Sequence, residues 1–196
     1  EFVRELAQLI ARRPAGEIAT WEVVETRQQM GVCSEVISPA QNADSVQAAQ
    51  IAETVAHGLG VVGVMAVELF EITGGSVLIN ELAMRPHNSG HFSIEGSITS
   101  QFEQHLRAVL DLPLGSTKPV SPVAVMANLL GVDDENDFVS RYPNAMSEFP
   151  QAHFHTYQKA ARSGRKMGHI TVLGERVDEA LALATGARNS LYGPIA

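Results

Sequence analysis

The sequence predicts a mixed α/β fold of the α+β type, and three observations carry that expectation. Runs rich in Val, Ile, Leu and Thr, bounded by Gly and Pro, recur along the chain and read as strands. Two segments, Asp44 to Leu59 and Ser100 to Asp111, instead place apolar residues at helical spacing. A stretch of Gly, Ser, Thr and Pro, from Gly115 to Pro122, then separates this part from a strand-rich remainder. At 196 residues the chain can bury a core in one large or two small domains. We therefore expect one domain over residues 1–115 and a small β-rich domain over residues 119–196.

Phe2 to Ala11 mixes apolar and charged residues and stops at Arg12-Arg13-Pro14-Ala15-Gly16. It reads as a strand, with a helix as the rival. Ile18 to Glu25 reads as a second strand, Met30-Gly31 as a turn, and Val32 to Ile37 as the antiparallel partner, ended by Pro39. Asp44 is placed to cap a helix whose apolar face is Ala48, Ile51, Ala52, Val55 and Leu59, with Gly58 and Gly60 as its stop. Ser100-Gln101-Phe102-Glu103 has the form of a capping box. It opens a helix with Phe102, Leu106, Val109 and Leu110 on its apolar face and a Glu103–Arg107 pair one turn apart. Beyond the boundary we expect a strand over Val123 to Leu130, an acidic connector from Asp133 to Asp137 and a short helix near Phe138. Strands follow at His153 to Tyr157 and Gly168 to Leu173. A closing helix, Arg176 to Ala187, has Val177, Ala180, Leu181 and Ala184 on one face.

Composition narrows the function classes. A net charge of −8 argues against a general nucleic-acid surface. No apolar run is long enough to span a bilayer, and the opening Glu1-Phe2-Val3-Arg4-Glu5 lacks the form of a signal peptide, so no membrane partner is expected. Without an initiator Met, the chain is expected to start inside a longer protein. A single cysteine, Cys33, excludes an internal disulfide framework and fits a reducing cytosol, hence a cytoplasmic location.

The candidate chemistry centres on Val61 to His91. Two apolar runs flank Thr73-Gly74-Gly75-Ser76, and each carries a carboxylate toward its end, Glu68 and Glu81. An unpaired carboxylate in an apolar setting is costly, so these glutamates either face water or hold a cation. Alternation puts Val64, Ala66 and Glu68 on one face, and Val77, Ile79 and Glu81 on one face, so folding at the glycines lets the carboxylates converge. The donor-rich loop Met84-Arg85-Pro86-His87-Asn88-Ser89-Gly90-His91 follows. Two hard oxygen ligands beside such a loop suit a magnesium–phosphate site. A hairpin with two solvated glutamates is the plainer alternative. A zinc site at His87 and His91 is disfavoured by Pro86 and Gly90 and by the lack of an HExxH motif.

A second cluster, Lys159 to Lys166, holds four of the 14 basic residues of an acidic chain, with Gly164 giving the turn freedom. Arg and Lys there suit a phosphate, and a solvated basic turn is the alternative.

Three runs carry a resemblance: Gly63-Val64-Met65-Ala66-Val67-Glu68, Asn80 to His91, and Thr99 to Ala108. They closely resemble the 5-(carboxyamino)imidazole ribonucleotide synthetase family, the ATP-grasp enzymes of de novo purine synthesis. Gly164-Arg165-Lys166-Met167-Gly168-His169 matches the same family. The resemblance implies the C-terminal part of an ATP-grasp domain followed by a small C-terminal domain. The family's N-terminal domain and first ATP-grasp subdomain have no counterpart here, so this segment alone is expected to be inactive.

It also implies an ATP- and Mg2+-dependent ligase that carboxylates 5-aminoimidazole ribonucleotide with bicarbonate through carboxyphosphate, and a homodimer. Glu68 and Glu81 match the magnesium ligands. Asn80 and Glu81 match the nucleotide-contacting pair, and Glu5 matches the carboxylate on the nucleotide sugar. Gln28 aligns where some members carry a nucleotide-contacting His. Arg85, His87 and Asn88 match the loop that handles bicarbonate and carboxyphosphate. Lys159 and Arg165 match contacts to the ribonucleotide phosphate, with Lys166 as helper. The rivals are another ATP-grasp ligase, which the His87 to His91 loop disfavours, and a non-catalytic association module.

Overall fold

The computed structural model describes residues 2–131, 138–160 and 162–192. The acidic connector expected at Asp133 to Asp137 lies outside the described residues. By its contacts the chain divides into two units, Glu1–Thr26 with Ser38–Ser121, and Arg27–Ile37 with Pro122–Ala196. Residues 27–37 thus pack with the later part of the chain, a membership that no single linear boundary expresses.

The first unit is built on β1 (Phe2–Arg12), which pairs antiparallel with β2 (Ile18–Thr20), β3 (Val24–Gln29) and β5 (Gly63–Ile72); β5 pairs in turn with β6 (Val77–Ala83). The strand expected over Ile18 to Glu25 is therefore two short ones. Trp21-Glu22-Val23 leaves the ladder because the Trp21 carbonyl accepts from Gln8 Nε2 at 2.8 Å, while its indole N–H donates to the Thr99 carbonyl at 3.3 Å. Met30 and Gly31 form the expected turn between β3 and β4 (Val32–Ser38), so the hairpin partner of β4 is β3 rather than the whole of Ile18 to Glu25.

One sheet face is covered by α1 (Ser45–Gly58). Asp44 caps it as expected, its Oδ1 accepting from the Gln47 amide at 2.9 Å, and Gly60 follows at φ +62°. Ala48, Ala52 and Ala56 pack on Leu6, Ile10, Met65, Val67 and Leu69. Methyl side chains one turn apart bring the helix close to the sheet, and Ile51 and Val55 flank that stripe half-buried. Leu59, expected on the apolar face, is exposed because it sits at the C-cap beyond the last turn. Arg4 bridges Glu71 and Glu25, and the Glu71 hydrogen bond is the main cause that raises its pKa.

The helix α2 (Ser93–Gly96) precedes α3 (Gln101–Val109). Ser100 caps α3 by accepting from the Glu103 amide at 3.2 Å, and Glu103 pairs with Arg107 at 2.6 Å, as the sequence led us to expect. The direction of α3 differs from expectation. Phe102, Leu106, Val109 and Leu110 are exposed, and Gln101, Gln104 and Ala108 face inward. The inner face is held by side-chain–backbone bonds: Gln104 Nε2 donates to the Gly115 carbonyl and the Gly115 amide donates to Gln104 Oε1, both at 2.7 Å. An amide that satisfies both backbone groups of the half-buried Gly115 takes the inward position that an apolar side chain would leave unsatisfied.

The second unit orders β4, β7 (Val123–Leu130), β9 (Lys166–Gly174) and β8 (Ala152–Thr156) side by side. α4 (Tyr142–Glu148) and α5 (Val177–Tyr192) contribute Ala145, Ala180, Ala184, Ala187 and Leu191 to a core with Val125, Leu129, Ile170 and Val172. α5 runs past the expected Ala187 because Arg188 and Leu191 are buried, Arg188 against Glu35. No helix of the described residues is long and apolar enough to cross a membrane.

Candidate functional site

The β5–β6 hairpin turns at Gly74 (φ +98°) and Gly75 (φ +84°), a backbone that side chains with a Cβ rarely adopt. Its register pairs Ala66 with Ala83, Val67 with Leu82 and Glu68 with Glu81, then shifts so that Leu69 faces Ile79. Asn80 is thus the extra residue of a β-bulge, and the simple alternation expected from Val77 to Glu81 is interrupted there. A bulge re-aims the side chains beside it. Here it leaves Glu68 and Glu81 directly opposite one another. Like charges in that relation repel, and His87 Nε2 stands 3.0 Å from Glu68 Oε1. Glu5 lies on the same sheet face: it pairs with Phe70, and Ala7 pairs with Glu68, two residues further on each strand.

The loop after β6 is held from beneath. Gln101, 0% exposed, accepts from the His87 amide at 2.9 Å, donates to the His87 carbonyl at 2.7 Å and lies 2.8 Å from His91 Nδ1. Ser93 Oγ donates to the Gly90 carbonyl and accepts from the Gln101 amide. A Cβ on Gly90 would lie 2.2 Å from Leu9 Cδ2 and 2.4 Å from Gln101 Oε1, so only glycine fits. The His87 ring is set on its other side by Ser89 Oγ, 2.8 Å from Nδ1. Asn88 is half-buried beside it, and Arg85 is exposed, its Nη1 donating to the Pro86 carbonyl at 3.1 Å. Glu68 and His87 thus meet, Glu81 lies across the ladder from Glu68, Asn80 sits at the bulge beside it, and the Arg85 guanidinium turns to the Pro86 carbonyl. Among the described residues no group of three or more His, Cys, Asp or Glu could hold a metal alone. Two opposed carboxylates fit a hard cation that takes its remaining oxygens from a bound phosphate.

The other candidates belong to the second unit. Gln28 is exposed on β3, two residues beyond Thr26. The basic turn is tied by its backbone to Gly131, whose amide donates to the Arg165 carbonyl at 2.7 Å and whose carbonyl accepts from the Gly164 amide at 3.0 Å. Gly164 has φ +69°. Lys159 Nζ donates to the Lys166 carbonyl at 3.4 Å and Arg165 Nη1 to the Ala160 carbonyl at 3.3 Å, so each cation reaches across to the opposite limb. Both side chains are exposed, and Lys166 is half-buried at the start of β9.

Sequence reasoning missed Gln101, read only as a capping-box interior, and the bulge at Asn80. The available signal for the first was a helix whose polar face carries two glutamines, at 101 and 104, spaced to lie one above the other.

Residues 1–102 match the model of the ATP-grasp domain, and residues 124–183 match that of the phosphoribosylaminoimidazole carboxylase C-terminal domain. The N5-carboxyaminoimidazole ribonucleotide synthase of Mycobacterium tuberculosis (strain ATCC 25618 / H37Rv) is 54% identical over 179 residues, 89% of this chain and 42% of that protein. The chain thus spans less than half the length of this curated relative. N5-carboxyaminoimidazole ribonucleotide synthetase from Thermus thermophilus superposes with a TM-score of 0.86 at 39% identity, over 100% of this chain and 52% of that one. N5-carboxyaminoimidazole synthase from Aspergillus clavatus, solved with ADP and 5-aminoimidazole ribonucleotide, gives 0.85 at 34% identity, over 97% and 52%. With more than half of its residues on the ATP-grasp model and the opposed carboxylates on that domain's last strands, the chain belongs to the ATP-grasp family.

Proposed function

We propose that this chain is part of an ATP-dependent ligase that carboxylates 5-aminoimidazole ribonucleotide with bicarbonate to give 5-(carboxyamino)imidazole ribonucleotide. The observation that carries the reading is the Glu68–Glu81 cross-strand pair under a loop locked by Gln101. A bicarbonate oxygen attacks the γ-phosphorus of ATP and ADP leaves; the ribonucleotide amine then attacks the carboxyl carbon of carboxyphosphate and phosphate leaves. Catalysis of such transfers is mostly positioning and charge neutralisation. Glu68 and Glu81 would hold Mg2+, which supplies positive charge to the nucleotide phosphates. Asn80, Glu81, Glu5 and Gln28 bind the nucleotide. Arg85, His87 and Asn88 orient bicarbonate and stabilise charge on the transferring group. Lys159 and Arg165, helped by Lys166, bind the ribonucleotide phosphate. Residues 1–115 form the end of the ATP-grasp domain and 119–196 the small C-terminal domain, in a cytoplasmic enzyme.

In the full-length protein, Glu81→Gln should cut ADP release by at least tenfold, about 1.4 kcal/mol of transition-state stabilisation. Unchanged turnover at limiting magnesium would overturn the metal assignment.

We further propose a homodimer. The exposed apolar face of α3, with Leu106 60% and Leu110 66% exposed, supports an interface there. Sedimentation of the full-length protein should show a dimer, and Leu106→Arg should shift it to monomer; a parent that sediments as a monomer refutes this.

A further inference from the structure

We infer that Tyr157 is a positioning residue for Lys159: its ring carries the ammonium, and a buried histidine fixes the ring. The inference rests on the reading that Lys159 and Arg165 bind the ribonucleotide phosphate. Lys159 Nζ stands 4.9 Å from the centre of the Tyr157 ring, within the range of a cation–π contact. That placement is made by the backbone. Gln158, between the two, has φ +52°, a conformation unfavourable for a residue with a Cβ. The reversal folds Lys159 back over the ring instead of letting β8 run on. Strain of this kind persists only where the surroundings over-determine it.

The surroundings are rigid here. The Tyr157 amide donates to the Met167 carbonyl at 2.9 Å, extending the β8–β9 ladder by one step. The Tyr157 hydroxyl makes a 2.7 Å hydrogen bond with Nδ1 of His169, which is 1% exposed. His169 is in turn stacked on its cross-strand partner His155, with ring centres 4.3 Å apart at 12°. A Cβ on Gly168 would fall 2.1 Å from the His155 carbonyl oxygen, so the glycine lets β8 and β9 close enough for that stack. Burial also raises the Tyr157 pKa, so the phenol stays neutral and its hydroxyl keeps its proton. The result is a relay of contacts from a stacked imidazole pair, with His169 buried and His155 half-buried, to an exposed ammonium. A flexible lysine held this way loses less freedom when it meets a phosphate.

The test is a double-mutant cycle in the full-length enzyme, with Tyr157→Leu, Lys159→Ala and both together. Tyr157→Leu should raise KM for 5-aminoimidazole ribonucleotide roughly three- to tenfold, the factor a part-buried cation–π contact supplies, with KM for ATP unchanged. Tyr157→Phe keeps the ring but loses its hydrogen bond to His169, so it should recover only part of that loss. In the Lys159→Ala background, Tyr157→Leu should have no further effect on KM, because its target is gone. An equal rise in both backgrounds, or no rise in the parent, overturns the inference. If Lys159→Ala alone leaves KM for the ribonucleotide unchanged, the phosphate assignment fails instead.

Discussion

Gln101→Leu in the full-length protein should lower stability by about 2–4 kcal/mol and abolish most turnover. Leucine fills a comparable volume, so the change isolates the amide. In the parent that amide accepts from the His87 N–H and donates to the His87 carbonyl, and Gln101 is fully buried. Stranding a buried donor or acceptor costs about 1–3 kcal/mol each, and the two part-buried backbone groups of His87 are stranded here. The close fit of Gly90 against Gln101 Oε1 leaves little room for a bridging water. The loop would then lose its hold on His87 and with it the contact to Glu68, 3.0 Å away, so a loss of at least tenfold in ADP release should accompany the loss of stability. Denaturant midpoints and initial rates measured on the same preparation check both arms. A variant as stable and active as its parent would show that the amide is not what holds the loop.

Arg165→Ala should raise the apparent constant for 5-aminoimidazole ribonucleotide by about one to two decades and barely change that for ATP. Losing one charge-assisted contact costs roughly 1.5–3 kcal/mol, which is that range in affinity. The fold of the turn should survive, because its closure rests on backbone bonds to Gly131, at 2.7 and 3.0 Å, rather than on the guanidinium. The Arg165 side chain is exposed and makes one long bond, 3.3 Å, to the Ala160 carbonyl. Its removal is therefore read in binding and not in stability. Initial-rate kinetics with each substrate varied in turn decide the matter. A variant that weakens ATP and spares the ribonucleotide would mean that the turn meets the other phosphate.

By itself the sequence determined what depends on residues a few positions apart. Asp44 and Ser100 cap their helices because each side chain reaches an amide three residues on. Glu103 and Arg107 meet because one turn of helix stacks them. Gly74, Gly75 and Gly164 mark turns because only glycine takes those angles cheaply. Only the tertiary structure decided what depends on a distant partner. Ile18 to Glu25 breaks at Trp21 because Gln8, 13 residues away, takes its carbonyl. Glu68 faces Glu81 because the ladder absorbs Asn80 as a bulge, which no count along one strand reveals. The apolar side of α3 points outward because two glutamines are needed inside, one for His87, 14 residues back, and one for Gly115, 11 residues on. Residues 27–37 join the later unit through bonds such as Asn128 to the Cys33 carbonyl, 95 residues apart. Local rules fix which backbone groups an element satisfies within itself; those left over are satisfied by whatever the fold brings near, and that is where the site is made.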